Sequence, residues 1–144
     1  MNREGRLLSS SPEETLKWAE ELAGVLEVGD TVLLSGSLGA GKTLIARGIA
    51  KGLGYEGIVA SPSFTLMKSY PGRLTMYHCD LYRMGASDDL RDLGIEEFIE
   101  EGGVAVFEWS ERFPIITESV PRWEMQIDFT NNPSERVIKW KRIG

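Results

Sequence analysis

The chain contains Gly36-Ser37-Leu38-Gly39-Ala40-Gly41-Lys42-Thr43, a complete match to the phosphate-binding pattern G-x-x-x-x-G-K-[ST]. An apolar run of β-forming residues, Thr31–Ser35, comes before this loop and follows a turn at Gly29-Asp30. After the loop, apolar residues recur at helical spacing from Leu44 to Leu53, and Gly54 is typical of a helix stop. Because phosphate binding requires a strand, a glycine loop and a helix in this order, the pattern predicts a nucleotide-binding α/β fold.

Each residue type in the loop has a physical role in holding phosphate. The glycines let the backbone adopt positive φ and approach an anion, so that successive N–H groups form a concave nest. The helix that follows directs its positive end at the same point. Lys42 is predicted to reach the β- and γ-phosphates, and the Thr43 hydroxyl to ligate Mg²⁺. The predicted ATP-binding residues are therefore Gly36, Ser37, Leu38, Gly39, Ala40, Gly41, Lys42, Thr43 and Leu44.

Composition narrows the class of protein. Of 144 residues, 42% are hydrophobic and 26% are charged, which is ordinary for a globular domain. The single cysteine, Cys79, excludes a disulfide framework and fits a reducing compartment. No run approaches the ~18 apolar residues of a membrane span, and the N-terminus lacks an apolar segment of signal-peptide length. We therefore expect one nucleotide-binding domain over residues 1–144, located in the cytoplasm and not at a membrane.

The remaining segments extend the α/β pattern. Ser11-Pro12-Glu13-Glu14 is a capping box that predicts an amphipathic helix over Pro12–Leu26. The other predicted elements are a hairpin of Ser63–Tyr70 and Arg73–Asp80, one or two short helices within Asp88–Glu101, a buried strand at Val104–Phe107, and strands at Trp123–Phe129 and Arg136–Ile143. Together these elements predict a P-loop NTPase-like three-layer sandwich with a mixed parallel and antiparallel sheet.

Two clusters of charge each allow two interpretations. The basic residues near the C-terminus favour a solvated edge strand over a partner-binding patch; they are Arg136, Lys139, Lys141 and Arg142. The acidic residues between positions 88 and 101 favour a solvated helical face over a docking surface for a basic partner. The formal net charge of −6 argues against a direct grip on a nucleic-acid backbone.

A phosphate loop works with an acidic group near Mg²⁺, usually at the end of an apolar strand. Glu108 ends such a strand, and we assign it to the metal because its strand is the better candidate for a parallel neighbour of Thr31–Ser35. Asp80 ends a second β-rich run and is expected to orient either the attacking water or a water on the metal. Lys42, Asp80 and Glu108 are thus the predicted catalytic residues. Thr43 and Glu108 are the predicted metal ligands, and ATP and Mg²⁺ are the predicted cofactors.

Three further features carry weaker signals. His78 is the only histidine, and a lone histidine in a strand favours a structural role over a catalytic one. Trp109 fits the core and the edge of the nucleotide site equally well. The hydroxyl-rich segment Ser61–Leu66 is either a γ-phosphate-sensing segment or an ordinary turn into a strand.

Taken in order, these motifs resemble the bacterial TsaE (YjeE-type) family of P-loop ATPases over most of the chain. The resemblance rests on the phosphate loop, Ser61-Pro62-Ser63-Phe64-Thr65-Leu66, His78-Cys79-Asp80-Leu81-Tyr82-Arg83 and Glu108-Trp109. The loop is generic, whereas the His-x-Asp-x-Tyr-Arg segment and the Glu-Trp pair, in this order, are specific. The chain departs from the common family pattern at three positions: Ser37 stands where the family commonly has Asp, and Leu44 and Ser63 stand where it commonly has Thr.

The resemblance implies a weak Mg²⁺-dependent ATPase that acts with the TsaB–TsaD pair in the threonylcarbamoyl modification of adenosine 37 of tRNA. In this family, ATP hydrolysis is held to reset the transfer complex between cycles, and tRNA is met only through the complex. The resemblance also implies that Ser11, at the start of the first helix, and Arg136, in the last strand, lie close to the nucleotide.

Three other functions compete with this one. The loop fits a small-molecule kinase equally well, although the chain is short and its only candidate lid arginines are Arg83 and Arg91. A GTPase switch is disfavoured because the guanine-reading motif [NT]-K-x-D does not occur in the sequence. A non-enzymatic interaction module, whose ATP site only changes its shape, is not separated from a slow ATPase by sequence.

Overall fold

A seven-stranded mixed sheet organises the described part of the chain. The structure is a computed structural model, and it describes residues 1–37, 39–59, 67–80, 101–108 and 121–144. Its helices are α1 (Pro12–Ala23) and α2 (Lys42–Gly52), and its strands are β1 (Glu4–Ser9), β2 (Thr31–Gly36), β3 (Met67–Tyr70), β4 (Thr75–Asp80), β5 (Gly103–Glu108), β6 (Arg122–Phe129) and β7 (Arg136–Ile143).

The strand order is β1-β7-β6-β2-β5-β4-β3. Strand β2 runs parallel to both of its neighbours, and β4 runs parallel to β5, whereas the three remaining pairs are antiparallel. The sheet is therefore parallel around the glycine loop and antiparallel towards its edges. The predicted α/β class with a mixed sheet is confirmed.

The apolar core lies between the two helices and one face of the sheet. Val32 and Leu34 of β2, Val104 and Val106 of β5, and Ile49 of α2 all belong to one buried cluster. Because every residue of β5 is buried, its side chains on both faces avoid water. This burial explains why β5 reads in the sequence as a continuous apolar run rather than as an alternating pattern.

Helix α1 begins where its capping box predicts and ends three residues earlier than predicted. The Ser11 hydroxyl accepts the Glu14 N–H at 3.2 Å, and the Glu14 carboxylate accepts the Ser10 N–H at 2.7 Å, which lowers the pKa of Glu14. The helix ends at Ala23, not at Leu26, because the carbonyls of its last three residues accept N–H groups only three positions later. Such bonds tighten the last turn and stop the α-helical ladder.

Helix α2 is confirmed and begins two residues earlier than predicted, at Lys42. Gly54 follows it with a φ of 99°, as expected of a helix stop. The helix lies very close to α1: a Cβ at Gly48 would be 2.5 Å from Cβ of Ala19, and one at Gly52 would be 2.6 Å from Cβ of Ala23. The two glycines of α2 therefore permit the close approach of the two helices.

Strand β1 is not predicted by the sequence, and its presence corrects the interpretation of β7. Because β1 pairs with β7 along its whole length, β7 lies between β1 and β6 and is not an edge strand. The basic cluster on β7 is divided accordingly. Lys139 and Lys141 are exposed, whereas Arg142 donates to the buried Asp30 carboxylate at 2.6 Å.

The other predicted elements agree with the structure where it describes them. The hairpin is formed by β3 and β4, with Tyr70 opposite Met76, and β4 begins at Thr75, two residues later than predicted. Strand β5 is one residue longer at each end than predicted, β6 begins one residue earlier, and β7 has the predicted bounds. The first residues of the predicted hairpin, 63–66, and the helices predicted within 88–101, up to residue 100, lie outside the described residues. No helix in the described part of the chain is long and apolar enough to cross a membrane.

The contact between the helices predicts the effect of Gly48→Ala. The new methyl group would meet the Ala19 Cβ at 2.5 Å and the Leu16 carbonyl oxygen at 2.8 Å. Overpacking of this kind costs about 1–3 kcal/mol, which exceeds the gain of about 1 kcal/mol from replacing a helical glycine by alanine. We expect urea denaturation to show a lower free energy of unfolding. Gly24→Ala is the matched control, because its nearest contact would be 3.3 Å, and equal stability of both variants would contradict the prediction.

Candidate functional site

The candidate site lies where three parallel strands end beside the start of α2. In the register of β4, β5 and β2, Asp80 lies opposite Glu108, and Glu108 lies opposite Leu34. Since Leu34 belongs to the core beneath the helices, both carboxylates lie on the helix-covered face. They are almost fully buried, with exposures of 7% for Asp80 and 3% for Glu108. Ligands of open α/β sheets bind at the carboxyl ends of the strands, which is where these groups lie.

The glycine loop has the backbone that its sequence predicts. Gly36, Gly39 and Gly41 all have positive φ, at 139°, 80° and 121°. Gly36 is restricted by packing as well, because a Cβ there would lie 2.2 Å from the Ile127 carbonyl oxygen. Among the described residues, a Cβ at Gly39 would meet no atom within 4 Å, so this part of the loop leaves room for close approach of an anion to its backbone.

Lys42 holds its ammonium group inside the loop. Its Nζ donates to the Gly36 carbonyl at 2.6 Å and to the Ser37 carbonyl at 3.0 Å, and the residue is 4% exposed. The positive charge is thus centred among loop carbonyls at the first turn of α2. An anion on the loop amides would offer this ammonium a stronger, charged acceptor in the same place.

The start of α2 differs from the start of α1 in a way that favours an anion. The N-cap of α2 is Gly41, which has no side chain to accept a hydrogen bond from the first amides of the helix. The N-cap of α1 is Ser11, whose hydroxyl accepts one of those bonds. The N–H groups and the positive end of α2 therefore face the glycine loop without a side-chain cap.

Thr43 and His78 both contact the Glu108 carboxylate. Thr43 Oγ1 donates to Oε1 at 3.0 Å and lies 3.4 Å from Oε2. On the other side, His78 Nε2 is hydrogen-bonded to Oε2. A hydroxyl from α2 and an imidazole from β4 thus fix a carboxylate from β5, and three separate elements meet at one buried charge.

The donor atoms at this point fit Mg²⁺. The ion prefers hard oxygen ligands and keeps several waters, so nucleotide sites usually supply only one or two protein ligands and complete the shell with phosphates. Thr43 Oγ1 and the Glu108 carboxylate are oxygen donors in contact with each other. Among the residues described by the structure, no group of three or more His, Cys, Asp or Glu side chains is arranged to hold a metal alone. The two oxygen donors therefore fit a Mg²⁺ ion that is held together with phosphate.

Arg136 reaches the loop from β7. Its Nε donates to the Ala40 carbonyl at 3.1 Å, and its guanidinium lies 4.5 Å from the centroid of the Phe129 ring. Ser9, the last residue of β1, is paired with Arg136, so α1 begins close to this end of the sheet. Arg136 therefore contacts the loop. The Ser11 hydroxyl instead caps α1, because it accepts the hydrogen bond from the Glu14 N–H.

Comparison with known proteins identifies the family of this site. A family model described as "Threonylcarbamoyl adenosine biosynthesis protein TsaE" matches residues 9–138. The chain belongs to the TsaE family. It is 40% identical over 122 residues to the tRNA threonylcarbamoyladenosine biosynthesis protein TsaE of Treponema pallidum (strain Nichols), a match that covers 85% of this chain and 88% of that relative.

Two further comparisons extend the match to TsaE over nearly the whole chain. The protein of the same name from Bacillus subtilis (strain 168) is 40% identical over 136 residues, covering 93% of this chain and 83% of that protein. The crystal structure of Bacillus subtilis YdiB superposes with a TM-score of 0.81 and 33% sequence identity, covering 100% of this chain and 88% of that one. The resemblance to the TsaE family stated from the motifs is confirmed.

Several residues singled out in the sequence fall outside the described residues. They are Leu38 of the loop, Ser61–Leu66, Leu81-Tyr82-Arg83 and Trp109 of the TsaE pattern, and Arg91, a candidate lid arginine of the alternative kinase. Leu44 is described and lies in the first turn of α2, partly buried. Of the predicted catalytic residues, Lys42, Asp80 and Glu108 all lie at this one end of the sheet.

One contact of the site is not predicted by the sequence. The sequence favours a structural role for His78, and the structure adds that its ring is hydrogen-bonded to Glu108, the predicted metal ligand. The signal for this contact is the spacing His78-x-Asp80, because residues two apart in a strand share a face. A histidine two residues before a predicted site carboxylate is therefore expected on the site side of the sheet.

Proposed function

We propose that this TsaE-family chain is a Mg²⁺-dependent ATPase of tRNA threonylcarbamoyladenosine biosynthesis, built as a P-loop sandwich over residues 1–144. The observation that carries the proposal is the contact of Thr43, at the start of α2, with the buried Glu108 at the end of β5. This contact joins the phosphate-binding segment to an acidic group at the carboxyl end of a parallel strand, which is the arrangement used for nucleotide and Mg²⁺.

The chain's own groups have separate roles in ATP hydrolysis. The loop amides bind the phosphates, and Lys42 exchanges its two loop carbonyls for phosphate oxygens. Thr43 and Glu108 would hold Mg²⁺, either directly or through water. When bound, Mg²⁺ would neutralise charge on the β- and γ-phosphate oxygens. Asp80, opposite Glu108 in the register, orients either the attacking water or a water on the metal. Attack of water on the γ-phosphorus breaks its bond to the bridging oxygen and yields ADP and phosphate.

We further propose that this activity is slow in the isolated chain and is raised by the TsaB–TsaD pair, whose transfer complex it resets. The net charge of −6 supports delegation of the tRNA contact to these partners. An acidic protein that bound tRNA directly would meet long-range repulsion from the phosphate backbone. A role in resetting a complex avoids that cost, because this chain then binds the nucleotide and its protein partners, and the partners make the contact with tRNA.

The test is ATP hydrolysis by the chain alone and with the TsaB–TsaD pair. We expect a slow basal rate that rises when the pair is added, because a shared interface completes the site. A basal rate indifferent to the pair, with phosphate passed instead to an added small acceptor, would replace this proposal with the small-molecule kinase.

Lys42→Ala is expected to lower ATP hydrolysis about 100-fold or more, because it removes the ammonium that stabilises charge on the transferred group. Phosphate release under saturating partner pair measures the effect. Lys51→Ala is the matched control, since it removes the same charge from the other end of α2, where Lys51 makes an exposed pair with Glu20. Equal rates for Lys42→Ala and the control would remove Lys42 from the site.

Glu108→Gln is expected to raise the Mg²⁺ concentration needed for half-maximal hydrolysis by about 10-fold or more while some ATP binding remains. The change keeps the size of the side chain and one acceptor oxygen for Thr43, and removes the charge that attracts the metal. Glu124→Gln on β6 is the control, because this partly exposed carboxylate pairs with Arg122 at 2.9 Å and not with the loop. An unaltered Mg²⁺ dependence in Glu108→Gln would show that Glu108 is not a metal ligand.

A further inference from the structure

His78 is fully buried, so its ring contributes neither to solubility nor to recognition at the surface. Its exposure is 0%, and it sits on the helix-covered face of β4, two residues before Asp80. Its register partners are Val106 of β5, a core residue, and the exposed Lys68 of β3, and the Tyr70 ring lies 6.5 Å away. A polar ring in such surroundings needs a specific partner, and Glu108 is that partner.

The hydrogen bonds of the ring are uneven. Nε2 is bonded to Glu108 Oε2, whereas Nδ1 is buried and has no hydrogen-bond partner among the residues that the structure describes. If His78 served only to fill the core, the fold would be more stable with both ring nitrogens hydrogen-bonded, or with an apolar side chain of similar size in its place. The one polar contact that this ring makes therefore points to Glu108 as the reason for its presence.

The contact divides the two oxygens of Glu108 between two elements. Oε2 is held by His78, and this leaves Oε1 as the oxygen nearer to Thr43, at 3.0 Å against 3.4 Å for Oε2. An ionised carboxylate can only accept, so Nε2 is the nitrogen that donates.

We propose that His78 is a positioning residue that holds the Glu108 carboxylate in the orientation needed to bind Mg²⁺ with Thr43. The proposal rests on the proposed function, because it takes Glu108 as the metal ligand. Partners of ligating groups commonly set the affinity for the metal, and their loss typically costs about 10–100-fold. His78 acts through Glu108 and makes no contact with the nucleotide in this scheme.

Two substitutions distinguish the effect of the hydrogen-bond donor from the effect of the imidazole ring. In Gln, the amide nitrogen lies at the distance of Nε2 from the backbone, so His78→Gln keeps a donor for Glu108. In Asn, it lies at the distance of Nδ1, so His78→Asn keeps polarity and loses the contact. Met76→Ala is the control for disturbance of the core, because Met76 is fully buried on the same face of β4 two residues earlier.

The measurement is calorimetric binding of a non-hydrolysable ATP analogue to the full chain, with Mg²⁺ and with EDTA, so that no turnover is involved. We expect His78→Asn to weaken binding about 10-fold or more in Mg²⁺ and to leave binding in EDTA at the wild-type level. His78→Gln should retain most of the gain in affinity from Mg²⁺. Met76→Ala should lower the melting temperature and retain that gain.

The outcomes distinguish this inference from the proposed function. Mg²⁺ could raise the affinity of His78→Asn for the analogue as much as it raises that of the wild type, while Glu108→Gln loses this increase. That result would overturn the role of His78 and would still support the metal site. If His78→Asn does not fold, His78→Gln decides alone, because a folded His78→Gln without the gain contradicts the proposal. If the wild-type chain shows no gain from Mg²⁺, both the metal site and the role of His78 are overturned.

Discussion

The hydrogen bond between Thr43 and Glu108 ties the start of α2 to the end of β5, and the surrounding structure is arranged around it. A carboxylate that is 3% exposed must be paired, because an isolated buried charge is very costly. The pairing requires β4, β5 and β2 to end at one level, which their parallel register provides. It also requires the chain to turn sharply from β2 into α2, which the positive φ of Gly36 and Gly41 allows.

A second buried carboxylate, at the other end of β2, shows what a purely structural pairing looks like. Asp30 is 1% exposed, accepts from Arg142 Nη1 at 2.6 Å and accepts the Glu27 N–H at 2.9 Å. A guanidinium and a backbone N–H only donate, so neither of these partners is able to ligate a metal ion. Glu108 is held instead by a hydroxyl, a group that is also able to ligate Mg²⁺, and by an imidazole. The chemistry of the partners, and not burial alone, therefore distinguishes the proposed functional end of the sheet from the other end.

The sequence predicts the elements whose evidence is local. The loop, α2 and the strands around them follow from spacing and turn residues within short windows. Strand β1 has no such signal: its pattern of burial alternates only between exposed and half-buried until Ser9, and its stability comes from pairing with residues some 130 positions away, such as Glu4 with Lys141. The same long-range contact explains why β7 is wrongly placed at an edge. The hydrogen bond between His78 and Glu108 also joins two strands that are distant in sequence. The spacing from Asp80 therefore predicts the face of the sheet on which His78 lies, but not its partner on β5.

The two helix starts show how the fold confines anion binding to one place. Both face the same end of the sheet, yet Ser11 and Glu14 cap α1, and Gly41 leaves α2 without a side-chain cap. A charged capping carboxylate at α2 would compete with phosphate for the same amides. Ser37 acts in the same direction, because this chain has a neutral hydroxyl where the TsaE pattern commonly has Asp. Its carbonyl still accepts from Lys42, so the ammonium is held in the loop without a second negative charge beside the site. The loop thus keeps a positive potential that suits an anion, and the Asp80 and Glu108 carboxylates lie on the neighbouring strands β4 and β5.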